Sequence, residues 1–597
     1  MMLTMMLAAV THWAVPPMSD EMRLPDRVPC DGEKGGTVRI VVAKDEFEPG
    51  SFVVRSDADL GKVKFEIGDL KQVKVKGEGE EVETGVVFPK AGVDLKVVKV
   101  WYQNLNSWFS YFGDGGAKLC PELLLNDEDL IRVDTEKAAN YARLVAADGK
   151  VTEKWLNPKP EMDLRPMTSH IRAFDSFFPM RPDFRDAETL QPVALGKDES
   201  KQFWLTVHAR PETPAGVYRG EIKGSGIGNQ GSGVEFSIPV EIKVMDFALP
   251  KPKCHDDPTM DFWVCFYNYL SYEHIRIYNG GDNELAKRQF EAVLRNQVEH
   301  NQNMHKPRPG LLGGEAFDEE ELKLMIETMR KVGMITRPLV GCGVGTGFKR
   351  GESVEETRRK ARECRERCDR IFGHHDIYIG YGDEPGVGNL VTRYRQVQDA
   401  FQLEGFKFFL AGGGHVFRKN GYLIDWHNTN NPPEADAEPR RWNEIGNGKR
   451  IAWYAAQHVG SEDPAFHRRQ NGLACWLSGY TALCNYAHHL GSFNDCGGTY
   501  KPMVYAYGIS TGVIDTLAWE GFREGVDDIR YATLLMSLAR TAAASDDVVT
   551  RRKGEKALMY LALLERERAD LNEARLEMVN HIVRLIGCSD CSIAAGR

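Results

Sequence analysis

The sequence predicts a multidomain protein of the α/β plus all-β class, with an N-terminal β-sandwich, a (β/α)8 TIM-like barrel and C-terminal helices. Three observations predict this fold. Residues 25–250 read as short strands separated by turns, without long helical periodicity. Strands alternate with helices from about residue 258, and helical periodicity alone remains after about residue 527. A doubly wound open sheet is the alternative for the middle region.

The predicted strands of the first domain are short apolar segments bounded by turn residues. Their positions are 37–42, 51–54, 203–207 and 237–244. The segment 247–253 contains two prolines, which end the last of these strands and mark a linker.

The second domain repeats a strand-then-helix pattern over roughly 270 residues. Asp318 caps one predicted helix, and Ser353 with Glu356 forms a capping box at the start of another. A further helix is predicted over 284–298. The predicted strands are 260–267, 337–341, 377–379, 406–410, 421–426, 450–456 and 479–486.

The C-terminal part shows one apolar stripe at helical spacing, formed by Tyr531, Leu534, Leu535 and Leu538. We expect these helices to pack on the outside of the barrel. The predicted organisation is a segment 1–24, a β-sandwich 25–250, a catalytic barrel 251–526 and a helical extension 527–597.

Residues 1–14 are apolar and rich in methionine, but no lysine or arginine precedes them. The segment 1–24 is therefore interpreted as a candidate signal remnant. An extracellular or periplasmic location follows if it is a signal peptide, and a cytoplasmic one if it is not.

Composition and charge restrict the classes of partner. The 597 residues are 42% hydrophobic and 27% charged, which is typical of a soluble globular protein. A net charge of −10 argues against nucleic acid as a partner, and no apolar run is long enough to span a bilayer. The 12 cysteines are scattered, so neither a structural zinc nor a disulfide framework is predicted. No metal and no cofactor are expected, and the oligomeric state is left open.

Two adjacent carboxylates form the main candidate site. Asp383 and Glu384 follow the predicted strand 377–379 and precede Pro385. Because neighbouring carboxylates repel each other, one should hold its proton at higher pH than usual. A protonated carboxyl beside an ionised one is what hydrolysis of a glycosidic bond requires. A solvated surface pair is the alternative interpretation.

Aromatic and polar residues near the predicted strand ends are candidates for substrate binding, because sugars need aromatic faces and hydrogen-bonding groups. Core packing is the alternative for each aromatic residue, and an ion pair with arginine is the alternative for the aspartate. The candidates are Tyr381, Asp425, Trp426, Trp453, Tyr454, Trp476 and Tyr486.

Glu520 and Arg523 lie one helical turn apart near the end of the barrel region. We interpret them as a structural ion pair beneath the site.

Three motifs occur in an order that resembles glycoside hydrolase family 123, whose members are β-N-acetylgalactosaminidases, together with uncharacterised relatives of its catalytic domain. The first is the end of the sandwich, with FWLTV, PAGVYRG and VMDFALP. The second is YGDEP at 381–385, and the third is EGFREGVDD at 520–528. Together the motifs span most of the chain.

The resemblance implies retaining hydrolysis of terminal β-linked N-acetylhexosamine, with N-acetylgalactosamine favoured and the substrate's own 2-acetamido group assisting. Glu384 would act as general acid and then as general base, while Asp383 would orient the acetamido group. The partner would be a carbohydrate, either a glycan or a glycoside. A glycosidase of the same fold with different sugar specificity and a non-catalytic carbohydrate-binding protein remain the alternatives.

Overall fold

A computed structural model gives the structure of the protein for fifteen stretches of the chain. They are residues 10–76, 80–104, 117–156, 182–227, 233–268, 270–307, 317–341, 351–380, 384–392, 394–429, 438–445, 448–454, 462–490, 503–565 and 569–587. The described residues form a mixed α/β protein with several sheets, as the sequence predicts at this level.

The N-terminal part is built from strands. They are β1 (Val10–Val15), β2 (Glu33–Lys34), β3 (Val38–Lys44), β4 (Glu46–Ser56), β5 (Gly61–Ile67), β6 (Lys71–Lys76), β7 (Glu80–Val87), β8 (Val93–Asn104), β9 (Ala117–Leu125), β10 (Ile131–Asp134), β11 (Ala139–Val145), β12 (Val151–Trp155), β13 (Val193–Leu195), β14 (Ser200–Ala209), β15 (Gly216–Ile227) and β16 (Gly233–Ala248).

Two large sheets share one apolar core in this part. The first has the antiparallel order β2-β1-β4-β14-β8-β9. The second has the order β13-β5-β15-β16-β3, with β6 paired to β15 and β7 paired to β6. Strands β10 to β12 form a small third sheet. Phe52 and Leu205 from the first sheet share a buried cluster with Ile222 and Ile242 from the second. Burial of this alternating apolar set holds the two sheets together.

The next part contains a seven-stranded parallel sheet in the order β17-β23-β22-β21-β20-β19-β18. Its strands are β17 (Trp263–Phe266), β18 (Leu339–Gly341), β19 (Ile377–Gly380), β20 (Lys407–Ala411), β21 (Trp426–Thr429), β22 (Arg450–Trp453) and β23 (Ala482–Asn485).

Helices connect these strands. They are α1 (Tyr272–Tyr278), α2 (Asn283–Glu299), α3 (Glu319–Val332), α4 (Val354–Phe372), α5 (Val387–Thr392), α6 (Arg395–Leu403), α7 (Gly414–Asn420), α8 (Glu438–Ile445), α9 (Pro464–Arg469) and α10 (Cys475–Leu477). The predicted caps are present, because the side chains of Asp318 and Ser353 accept hydrogen bonds from the amides of Glu321 and Glu356.

The parallel sheet curls, and residues 304–306 lie between its two edges. Parallel bridges pair Tyr267 with Lys306 and Met304 with Ile335. Alternate residues of the strands therefore face the concave side of the curled sheet or the surrounding helices. The interior cluster contains Trp263, Cys265, Met304, Val340, Tyr378, Phe409, Trp426, Ala452, Ala482 and Cys484.

The C-terminal part begins with short strands and ends with helices. The elements are β24 (His489–Leu490), β25 (Met503–Val504), β26 (Ala506–Ile509), β27 (Gly512–Asp515), α11 (Leu517–Ala543), α12 (Val548–Leu563) and α13 (Leu571–Ile586).

Helix α11 joins the N-terminal sheets to the parallel sheet through buried polar contacts. The Trp204 indole donates to Glu520 at 2.8 Å, and the Tyr531 hydroxyl donates to Glu46 at 2.8 Å. Buried hydrogen bonds of this kind fix how the two parts meet.

One predicted strand is wrong in its position. The sequence predicts a strand over 421–426, but Gly421–Leu423 is a turn of 3-10 helix and the strand is Trp426–Thr429. Leu423 and Ile424 are buried although they precede the strand. Their apolar character therefore does not show where the strand begins. Trp426 consequently begins the strand that it was predicted to end.

Candidate active site

Glu384 lies beyond the carboxyl end of β19, where the chain leaves the parallel sheet. Its backbone has a φ of +37°, in the left-handed region that non-glycine residues rarely occupy. Backbone strain of this kind is concentrated at functional sites. The carboxylate side chain is exposed. Asp383 and Tyr381, its predicted partners, lie outside the described residues.

Tyr454 follows β22, and its hydroxyl donates a hydrogen bond to Oε1 of Glu384. The amide of Tyr454 donates to the carbonyl of Thr429 at 3.1 Å, which extends the sheet by one residue. The tyrosine is only 6% exposed, so its ring is fixed by packing while its hydroxyl reaches the exposed carboxylate. The structure thus joins two of the predicted site residues.

A cavity of about 380 Å³ lies beside Glu384. Its other walls come from the loop after β20 and from the start of α7, namely Gly412, Gly413, Gly414, His415, Val416 and Arg418. The three glycines carry no side chains, so the wall that they form is main chain. The cavity is thus open to a ligand that contacts Glu384.

Aromatic rings lie at the same end of the parallel sheet. The rings of Tyr267 and Tyr486 meet edge to face at 5.1 Å between centroids, and the Tyr486 amide donates to the carbonyl of Tyr454 at 3.1 Å. The Nδ2 atom of Asn428 lies 3.5 Å from the Tyr267 hydroxyl. Tyr486, which is partly buried, is therefore the third predicted site residue in this region, after Glu384 and Tyr454.

The Lys306 side chain lies among these rings. Its Nζ lies 3.2 Å from the centroid of Tyr267 and 5.2 Å from that of Phe409. Tyr267, Asn428 and Lys306 were not among the predicted site residues. Lys306 follows Met304-His305 in a polar segment, which gives no sequence signal that its side chain is buried.

Asp425 and Trp426 lie away from Glu384, because the strand begins where it was predicted to end. The Asp425 carboxylate accepts a hydrogen bond from the Phe408 amide at 2.8 Å, at the amino end of the strands. Trp426 is fully buried, with its ring 5.4 Å from Trp263. Their placement favours structural roles, and substrate binding by either residue stays a prediction.

Trp453 of β22 faces the helices and Trp476 lies within α10, so neither belongs to the interior cluster. Both side chains are fully buried in the core cluster that the sheet shares with the surrounding helices. The Trp476 indole donates to the carbonyl of Lys253 at 2.8 Å. The side chain of Trp453 points away from that of Tyr454, because successive strand residues point to opposite faces of the sheet. Substrate binding by these two tryptophans also stays a prediction.

The amino end of the parallel sheet is closed by a cation over an aromatic ring. The Arg450 guanidinium lies 3.6 Å from the centroid of Trp263 and donates to the carbonyl of Asp261 at 2.6 Å. A separate cavity of about 410 Å³ at this end is lined in part by Glu444 and Thr481. The two ends thus differ in their charged groups: the amino end carries Arg450 over Trp263, and the carboxyl end carries the Glu384 carboxylate.

Among the described residues, His300, Asp515 and Glu520 bring three ligand atoms within 4.8 Å of one another. Arg523 donates to both oxygens of Glu520, at 3.0 and 2.6 Å. Burial raises the pKa of Glu520, but Arg523 and His300 outweigh it and lower that pKa to about 2. Because a guanidinium already neutralises the carboxylate, we interpret the cluster as the predicted structural ion pair and not as a metal centre.

The fold and the site define a mixed α/β protein with a carboxylate held at the carboxyl end of a curled parallel sheet. No protein-family model and no curated protein sequence matches this chain. Among solved structures, it is similar to a family 123 glycoside hydrolase from Clostridium perfringens, described for glycolipid glycan hydrolysis. That match has a TM-score of 0.59 and 9% identity, and it covers 97% of each chain. The predicted resemblance to family 123 is thereby confirmed at the level of the fold.

Other solved structures match with lower scores. A β-galactosidase-like protein from Bacteroides fragilis gives a TM-score of 0.28 at 9% identity over 80% of this chain and 58% of its own. An N-acetylneuraminate lyase from Proteus mirabilis gives 0.23 at 13% identity over 54% of this chain and 98% of its own. Scores this low carry no argument about this protein. In the described part of the chain, no helix has both the length and the apolar composition needed to cross a membrane.

Proposed function

We propose that this protein is a retaining glycoside hydrolase that removes terminal β-linked N-acetylhexosamine, with N-acetylgalactosamine favoured, by substrate-assisted catalysis. Glu384 protonates the leaving oxygen and then, as a general base, activates water. Asp383 orients the 2-acetamido group, which attacks the anomeric carbon. Two adjacent carboxylates are poorly placed to act from opposite faces of one sugar, so a nucleophile within the substrate suits the pair.

The hydrogen bond from Tyr454 to Glu384 is the observation that carries this proposal. It gives the Glu384 carboxylate a defined direction beside a cavity large enough to admit a sugar ring. A general acid must be fixed within hydrogen-bond reach of the oxygen that it protonates. The fold similarity to a glycoside hydrolase supports the same reaction class.

We assign different roles to the two tyrosines. Tyr454 positions Glu384, because its hydroxyl already donates to that carboxylate. Tyr486 lies one strand further along and is the candidate donor to the acetamido carbonyl. Its partial exposure at the same end of the sheet supports this assignment.

The architecture that we propose is an N-terminal β-sandwich and a (β/α)8 barrel. The core shared by the two large N-terminal sheets supports the sandwich. The bridges through residues 304–306 between the edges of the parallel sheet support barrel closure, with 304–306 as the second of eight strand positions. In such barrels the active site lies at the carboxyl ends of the strands, which is the location of Glu384.

A panel of four aryl β-glycosides tests the proposed reaction: N-acetylgalactosaminide, N-acetylglucosaminide, galactoside and glucoside. We expect turnover only of acetamido sugars, loss of that turnover in Asp383→Asn, and inhibition by a thiazoline that mimics the oxazoline intermediate. Hydrolysis of the galactoside or glucoside together with indifference to the thiazoline would contradict substrate assistance. Silence across the panel, repeated with oligosaccharides, would contradict hydrolysis itself.

A further inference from the structure

Lys306 is a buried cation that has neither a hydrogen bond nor an ion pair among the described residues. Its side chain is 1% exposed, and no described residue accepts a hydrogen bond from Nζ. The contacts of Nζ with Tyr267 and Phe409 are cation–π contacts. Ring faces attract the charge but accept no conventional hydrogen bond from its three N–H groups.

An unpaired ammonium is expensive to bury, so a structural lysine is normally paired or reaches water. An apolar side chain of the same length would fill this position without that penalty. Lys306 is also connected to the candidate site. It pairs in register with Tyr267, whose ring contacts that of Tyr486. The Tyr486 amide in turn donates a hydrogen bond to the carbonyl of Tyr454. This continuous set of contacts leads to Glu384.

We propose that Lys306 is a substrate-binding residue that donates a hydrogen bond to a hydroxyl of the sugar bound beside Glu384. This inference rests on the proposed function, since it assigns the sugar to the same site. The rings of Tyr267 and Phe409 hold the ammonium in place before the sugar arrives. The sugar oxygen then supplies the acceptor that none of the described residues offers, so this hydrogen bond forms only in the complex.

The test compares Lys306→Met with Lys407→Met. Lys407 is a matched control because its Nζ also lies near an aromatic ring, 5.0 Å from Tyr378, but it is paired with Asp376 at the amino end of the strands. Both variants are assayed for hydrolysis of the N-acetylgalactosaminide and for thermal unfolding. We expect Lys306→Met to lose about 10- to 100-fold in kcat/KM while its Tm is unchanged or higher. We expect Lys407→Met to retain its activity.

A series of deoxy sugars, each lacking one hydroxyl, then identifies the contact. Removing the contacted hydroxyl should weaken binding to the unmodified protein but have no further effect in Lys306→Met. Losses that add independently for every hydroxyl would overturn the proposal. So would unchanged activity in Lys306→Met, or a fall in its Tm, which would identify Lys306 as a structural residue.

Binding measured in a Glu384→Gln background separates this inference from the proposed reaction. Calorimetric titration with the thiazoline reports on sugar binding without turnover. If the unmodified protein hydrolyses nothing but Lys306→Met weakens thiazoline binding, the reaction is wrong and the Lys306 assignment stands. If hydrolysis occurs and the affinity is unchanged in Lys306→Met, the reaction stands and the Lys306 assignment is wrong. Absence of any sugar binding overturns both.

Discussion

The hydroxyl of Tyr454 donates to the carboxylate of Glu384 across 70 positions of sequence. Tyr454 extends β22, whereas Glu384 lies in the loop after β19, so two other strands separate them in the parallel sheet. The contact therefore spans the carboxyl end of the sheet, and the site depends on the curvature that brings these strands together.

Glu384→Gln should abolish hydrolysis of substrates with poor leaving groups, by roughly 10²- to 10⁴-fold in kcat, because an amide cannot donate the required proton. Aryl glycosides with good leaving groups should be affected less. The side chain is exposed, so Tm should not change. Glu444→Gln, an exposed glutamate at the other end of the sheet, is the control and should behave as the unmodified protein. Full activity in Glu384→Gln would show that another residue is the acid.

Tyr454→Phe should lower kcat about 10- to 100-fold, because Glu384 loses the donor that fixes its direction. The buried ring is retained, and water can hydrate the exposed carboxylate, so Tm should change little. Steady-state kinetics and thermal unfolding check both parts. Tyr422→Phe serves as the control, since Tyr422 is 69% exposed. A large fall in Tm with unchanged kcat would assign Tyr454 a structural role.

Trp453→Phe should lower the free energy of unfolding by about 1–3 kcal/mol without changing KM, because this side chain fills a core position on the helix-facing side of the sheet. Chemical denaturation and kinetics measure the two effects. Trp155→Phe, at an exposed position, should change neither. A raised KM at unchanged stability would restore the predicted role of Trp453 in substrate binding.

Because of Glu46, the free energy of unfolding should fall as the pH rises. Its carboxyl is buried with Tyr531, and burial together with Asp527 raises its pKa from an ordinary 4.5 to about 8. Between pH 4.5 and about pH 8, the folded state therefore keeps a proton that the unfolded chain has released. Each pH unit in this window reduces the free energy of unfolding by up to about 1.4 kcal/mol.

Glu46→Gln removes the titration, so its Tm should decline less than that of the unmodified protein between pH 5 and pH 8. Glu235→Gln, at an exposed position, should leave the pH profile unchanged. Parallel profiles for the unmodified protein and Glu46→Gln would contradict this interpretation.

Asp528→Asn should destabilise the protein by about 3–5 kcal/mol, because it leaves two buried guanidinium groups without their shared anion. Arg468 donates to Asp528 at 2.7 and 3.0 Å, and Arg575 donates at 2.7 Å. Urea denaturation measures the loss. Glu153→Gln, which breaks an exposed pair with Arg132, should cause no measurable change. Equal losses in the free energy of unfolding would show that the buried cluster stabilises the protein no more than an exposed ion pair does.

Local sequence patterns predicted the features that depend on neighbouring residues. Glycines, a β-branched strand and a proline predicted that Glu384 follows a buried strand, and β19 is Ile377–Gly380. The caps at Asp318 and Ser353 were predicted in the same way. The strand at 421–426 was predicted wrongly, because a buried turn has the same apolar composition as a strand end. Asp425 therefore lies at the amino end of the strand and not at its carboxyl end.

The sequence by itself determined the kind of elements, their order and the strand that carries Glu384, because these follow from periodicity, caps and turn residues within a few positions. Only the tertiary structure decided which side chains meet. Tyr454 and Trp453 are chemically similar neighbours, yet the pleat turns one toward Glu384 and the other toward the helices. Lys306 is buried among rings only because the edges of the sheet approach each other at residues 304–306.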